Sequence, residues 1–90
     1  MEIFAKRLKE LRNEKKISLK KLGNAIKCSD VAINYWERNI KEPTAPNIVE
    51  LCKFFDVTAD YLLGLEDDLG NKIPDTEYIA NKDPNLYMLP

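Results

Sequence analysis

The chain contains no histidine, so its hydroxyls, thiols and carboxylates lack the commonest proton-transfer partner. Ser18 and Ser29 have no base to activate them, and no glycine-rich loop is present to cradle a phosphate. Cys28 and Cys52 lie far apart, with neither a histidine nor a Cys-x-x-Cys pair to complete a zinc site. Two buried, reduced thiols are the expectation for them, with a disulfide as the alternative. These residues imply no enzyme, no catalytic residue, no metal and no cofactor. The chemistry left is recognition by charge and hydrogen bond, and the residues suited to it crowd into Ile17 to Asn39.

Charge supports that location. The whole chain carries a net charge of −1, but residues 1–65 hold twelve Lys and Arg against nine acids, a net of +3. Residues 66–90 hold Lys72 and Lys82 against six acids, a net of −4. The basic front suits an acidic partner, which an average over the whole chain would hide. Ninety residues allow one modest core worth roughly 3–5 kcal/mol, enough for a binding module but little for a deep catalytic cleft. No apolar run is long enough to span a membrane, and no secretory signal pattern opens the chain, so a cytoplasmic location without membrane contact is expected.

The elements that must position these groups read as helices. Phe4, Leu8 and Leu11 recur at helical spacing between Glu2 and Glu14, with Lys6, Arg7, Lys9 and Arg12 expected on a solvated face. Ser18 is a good N-cap for a second helix that carries Leu22 and Ile26 inward. Lys27 and Cys28 make a short turn. Ser29 caps a third helix, with Asp30 in its first turn, Ile33 and Trp36 facing the core, and Asn39 at its end. After the loop punctuated by Pro43 and Pro46, Thr44 or Asn47 starts a fourth helix carrying Ile48, Leu51, Cys52 and Phe55. Thr58 caps a last one through Tyr61, Leu62 and Leu63, stopped by Gly64. No strand pattern competes. From Glu66 the periodicity fades into three prolines, an acidic run and scattered apolar residues, which reads as an arm. The expected fold class is therefore all-α, with residues 1–65 as a five-helix domain and residues 66–90 as an acidic C-terminal tail or arm.

Two short helices joined by a tight turn impose three demands. Gly23 supplies the small residue where helices two and three cross. Ile33 supplies the branched plug beneath, and Cys28 the apolar residue behind the turn. Helices this short need flanking support.

Ile17-Ser18, Leu22-Gly23, Ile26, Cys28-Ser29, Ile33-Asn34, Trp36-Glu37-Arg38 and Pro43 together resemble the Cro/lambda-repressor-like, or XRE, helix-turn-helix family. The run Leu51-Cys52, Phe54 to Thr58 and Asp60 to Gly64 resembles the segment that closes its five-helix domain, so the likeness covers about residues 3–65. The resemblance implies a sequence-specific regulator of transcription that binds double-stranded DNA, usually as a homodimer on an inverted repeat, and most often a repressor. Helix three would enter the major groove, where Asp30, Val31, Asn34 and Tyr35 are the candidate base readers. Asn34 suits an adenine edge, Val31 a thymine methyl and Asp30 a cytosine amine. Lys20, Lys27, Arg38 and Lys41 are the candidate phosphate contacts.

Three positions depart from the family pattern. Leu19 stands where a Gln usually touches the DNA backbone. Lys27 replaces a usual Gly, which implies a left-handed residue at a cost of about 1–2 kcal/mol. Asp30 brings a negative charge toward phosphates, and it serves equally well as a helix-start residue. Trp36 reads as core, not as a stacking platform. The competing functional class is a protein-interaction module, antitoxin-like or an anti-repressor target, acting through residues 66–90. With little chain beyond residue 65, control is expected through that arm, a partner or concentration.

Overall fold

The computed structural model describes residues 1–73. Five α-helices follow in order: α1 (Glu2–Glu14), α2 (Leu19–Ile26), α3 (Asp30–Glu37), α4 (Ala45–Phe55) and α5 (Ala59–Leu62). Four of them start on a hydroxyl cap. The side chains of Ser18, Ser29, Thr44 and Thr58 accept from the backbone N–H three residues on, and each cap residue is extended. Such caps are worth about 1 kcal/mol each. Thr44, not Asn47, therefore opens α4, and Pro46 falls in its first turn, where its missing N–H costs nothing.

The helices end as sharply as they begin. Lys16, Lys27, Asn39 and Asp56 all take positive φ, between 54° and 59°. Lys27 does what its place in the turn requires, and Asn39 reverses the chain after α3. The left-handed Lys16 has no counterpart in the sequence reading. Gly64, at φ 88°, stops the chain after α5 with Ile3 packed against it.

Phe4, Leu8, Leu22, Ile26, Ile33, Trp36, Leu51, Phe55 and Leu62 form one buried cluster, so every helix contributes to a single core. α1 lies against α3 and α5, and α4 braces α2 and α5, which is the support that two short helices need. Leu19 packs against the edge of this core, so its side chain serves the fold. Cys28 and Cys52 are free thiols, but only half-buried, because each sits at the rim of the cluster. Burial pushes the Cys52 thiol up from its ordinary value.

The folded chain continues past Leu65. Ile73 N–H donates to the Leu65 carbonyl (3.0 Å) and Asp67 N–H to that of Asn71 (2.8 Å), closing a turn with one antiparallel bridge between Glu66 and Lys72. Among the described residues this bridge is the sole extended pairing, and no helix is long and apolar enough to cross a membrane. Tyr78, Ile79 and the apolar residues from Leu86 to Leu89 lie outside the described residues.

Candidate nucleic-acid interface

The site grows from one close approach. A Cβ on Gly23 would stand 2.5 Å from the Cys28 carbonyl oxygen and 3.4 Å from the Asp30 nitrogen. The small residue on α2 therefore makes room for the backbone of the turn and the start of α3. Cys28 N–H donates back to the Gly23 carbonyl (2.8 Å), and the Cys28 thiol donates to Asn47 Oδ1 on α4 (3.4 Å). Ile33 and Trp36, at 0% and 5% exposure, anchor the inner side of α3.

The outer side of α3 is thereby fixed. Val31 is 55% exposed on this side. Asn34 and Tyr35 are half-exposed beside it. Asp30 is exposed, and its Oδ1 accepts from Val31 N–H (3.0 Å), the local helix-start role. Lys20, Lys27, Arg38 and Lys41 are all exposed. Two of these cations touch candidate readers. Arg38 Nη1 donates to Asn34 Oδ1 at 3.4 Å, and Lys41 Nζ lies 5.3 Å from the centre of the Tyr35 ring. Between α3 and residues 41–42 a hollow of about 250 Å³ opens, lined by Val31, Tyr35 and Lys41 among others. That is smaller than an ordinary small-molecule site, so the edge presents itself as a surface.

The charges of α1 do not all behave as a solvated face. Arg12 makes a two-pronged ion pair with Glu37, Nε to Oε2 at 2.7 Å and Nη2 to Oε1 at 3.0 Å, and gives Nη1 to the Ile17 carbonyl at 3.0 Å. The pair is largely enclosed, and the hydrogen bond to Glu37 raises the Arg12 pKa. It ties α1 to the loop before α2 and to the last turn of α3. Arg7 lies over the Tyr61 ring (4.2 Å) and donates to the Tyr61 and Glu66 carbonyls, the latter at 2.8 Å. Lys6 and Lys9 do face solvent. A positional signal exists for both inward arginines: Arg12 follows buried Leu8 by four residues, Arg7 follows buried Phe4 by three, and Glu37 follows buried Ile33 by four.

The helix-turn-helix family model matches residues 8–62. The chain belongs to the helix-turn-helix family. The matching model is of the XRE type, and two relatives are similar to the chain. An uncharacterised HTH-type transcriptional regulator of Bacillus subtilis strain 168, YobD, is 31% identical over 71 residues, covering 79% of this chain and 63% of its own length. The repressor protein C2 of Salmonella phage P22 is 36% identical over 62 residues, covering 69% of this chain and 29% of the repressor. The chain thus spans less than two thirds of either relative. The P22 c2 repressor solved with a synthetic operator superposes with a TM-score of 0.64 at 36% identity, over 66% of this chain and 89% of that one. The N-terminal DNA-binding domain of SinR from Bacillus subtilis gives 0.65 at 25% identity, over 70% and 93%. The fold is that of repressor-type helix-turn-helix domains, a family of regulators and not of enzymes.

Proposed function

We propose that this chain is a transcriptional repressor that binds double-stranded DNA in the cytoplasm, as a homodimer on an inverted repeat. The observation that carries the reading is the exposed edge of α3. Val31, Asn34 and Tyr35 stand outside a helix whose other side is locked, with Arg38 and Lys41 beside them, in a fold shared with a repressor solved on an operator. Residues 1–65 serve as the DNA-binding unit and residues 66–90 as its arm. α3 lies in the major groove, with Val31 against a thymine methyl and Asn34 on an adenine edge. Asp30 and Tyr35 complete the base-facing set, and Lys20, Lys27, Arg38 and Lys41 hold phosphates. A single eight-residue helix spans only a few base pairs, so two copies about one helical turn apart, roughly 34 Å, supply the selectivity a regulator needs.

Selection of bound duplexes from a random pool tests the reading. A motif with dyad symmetry is expected, and Asn34→Ala should relax preference at one symmetric position by about 1–3 kcal/mol while sparing non-specific binding. An asymmetric motif bound by a monomer at micromolar concentration rules out the dimeric operator.

A further inference from the structure

We infer that Arg38 is a positioning residue for base recognition, setting the orientation of the Asn34 amide, and so contributes to sequence preference as well as to charge. The inference rests on the reading of α3 as the base-facing helix. An asparagine amide on an exposed helix turns about a broad, roughly two-fold torsion, so its oxygen and nitrogen interchange freely. Unanchored, Asn34 would offer donor and acceptor in either order and discriminate poorly.

Arg38 biases that choice through an exposed contact of 3.4 Å. It follows Asn34 by four residues, on the same helical face, and its N–H donates to the Asn34 carbonyl at 3.0 Å, so the last turn of α3 is intact beneath it. Asn39 then turns the chain away with φ 57°, which leaves the Arg38 side chain to rise over Asn34 and not along a continuing helix. Nη1 donates to Oδ1, which points the oxygen toward the C-terminal end of α3. A carbonyl oxygen has two lone pairs. Arg38 occupies one, and the other remains beside the amide N–H₂ as the donor–acceptor edge that adenine matches. The planar guanidinium carries five N–H donors, so the fork can hold Asn34 and still present N–H groups to a phosphate. A lysine at this position has the charge without the fork.

Competition binding of the full chain separates these roles, using the selected duplex and its single-base variants. Five forms are compared: unsubstituted, Asn34→Ala, Arg38→Lys, Arg38→Ala and the Asn34→Ala/Arg38→Lys double substitution, each checked for unchanged helical content. Arg38→Lys should keep the salt dependence of binding yet lose roughly fivefold in preference at the base pair that Asn34→Ala relaxes. That loss should vanish in the Asn34→Ala background. Arg38→Ala should show the same positional loss, together with a uniform fall in affinity and a salt slope flatter by about one unit. If both Arg38 variants weaken every duplex alike, Arg38 is a phosphate contact alone and the inference is overturned. Persistence of the positional loss without Asn34 overturns it too, because Arg38 then acts on the base by another route. Should Asn34→Ala relax no position at all, the base-reading assignment fails first, and that failure is visible in its own arm of the experiment.

Discussion

Two regions of this small domain carry opposite charge. In one, α2, the turn, α3 and the residues just after it carry the exposed Lys20, Lys27, Arg38 and Lys41 together with Val31, Asn34 and Tyr35. In the other, the C-terminal half of α1, the α4–α5 turn and residues 66–70 enclose a groove of about 490 Å³ edged by Glu10, Glu14, Asp56, Glu66, Asp67 and Asp68. The near-neutral total charge conceals this division. The regions also differ in how they are held. The cationic end depends on close backbone approach and a buried plug, whereas the acidic end depends on hydrogen bonds and one stacked arginine.

Gly23→Ala attacks the first kind of mount and should have the largest effect. Its methyl meets a backbone oxygen that cannot swing aside, so a loss of about 3 kcal/mol is expected in chemical denaturation. A variant as stable as the parent would show that the turn gives way easily. Next comes Glu37→Ala, which strands the Arg12 guanidinium half-enclosed between α1 and α3. A loss of about 2–3 kcal/mol should follow, and Arg12→Ala with Glu37→Ala should cost less than the two single changes added together.

Two tests bear on the acidic end. A chain ending at Ile73 should melt close to the full chain, while one ending at Leu65 removes the Glu66 carbonyl from Arg7 and the Glu66 carboxylate from Thr58. About 1–2 kcal/mol should separate them. Equal melting temperatures would make residues 66–73 an ornament to the fold. The smallest effect concerns Asp67, whose carboxyl is held below the ordinary carboxylate range by the backbone N–H of Asn71 and then of Leu69. A depressed pKa means that the ionised form stabilises the turn above about pH 4, and that this support disappears as the pH falls through the lowered value. Backbone amide resonances of Leu69 and Asn71 should shift there while those of Gly23 and Ile33 stay in place.

Much of the cationic end was legible in the residues. Ser18 and Ser29 cap as their types dictate, Gly23 sits where the turn crosses, Lys27 takes its left-handed place and Asn39 ends α3. The caps and the Asn39 stop are local rules, readable over three or four residues, whereas the left-handed Lys27 followed from the family resemblance and Gly23 from the crossing of two helices. The acidic end was not legible in the same way, because the bonds that tie it to α1 join residues more than fifty positions apart, Arg7 with Tyr61 and Glu66. A charged residue on α1 looks like any other solvated charge until the helix phase is compared with the core. Arg12 and Glu37 share that phase, twenty-five residues apart, and composition says nothing about their meeting.

The Arg12–Glu37 pair also bears on the thermodynamics of recognition. It fastens the last turn of α3 to a helix that has no role in reading bases, while Ile33 and Trp36 hold the turns before it. On the proposed function, α3 is held from behind before it meets DNA, so docking has little chain left to order within it. The contacts that set its angle then lie on the face turned away from the bases.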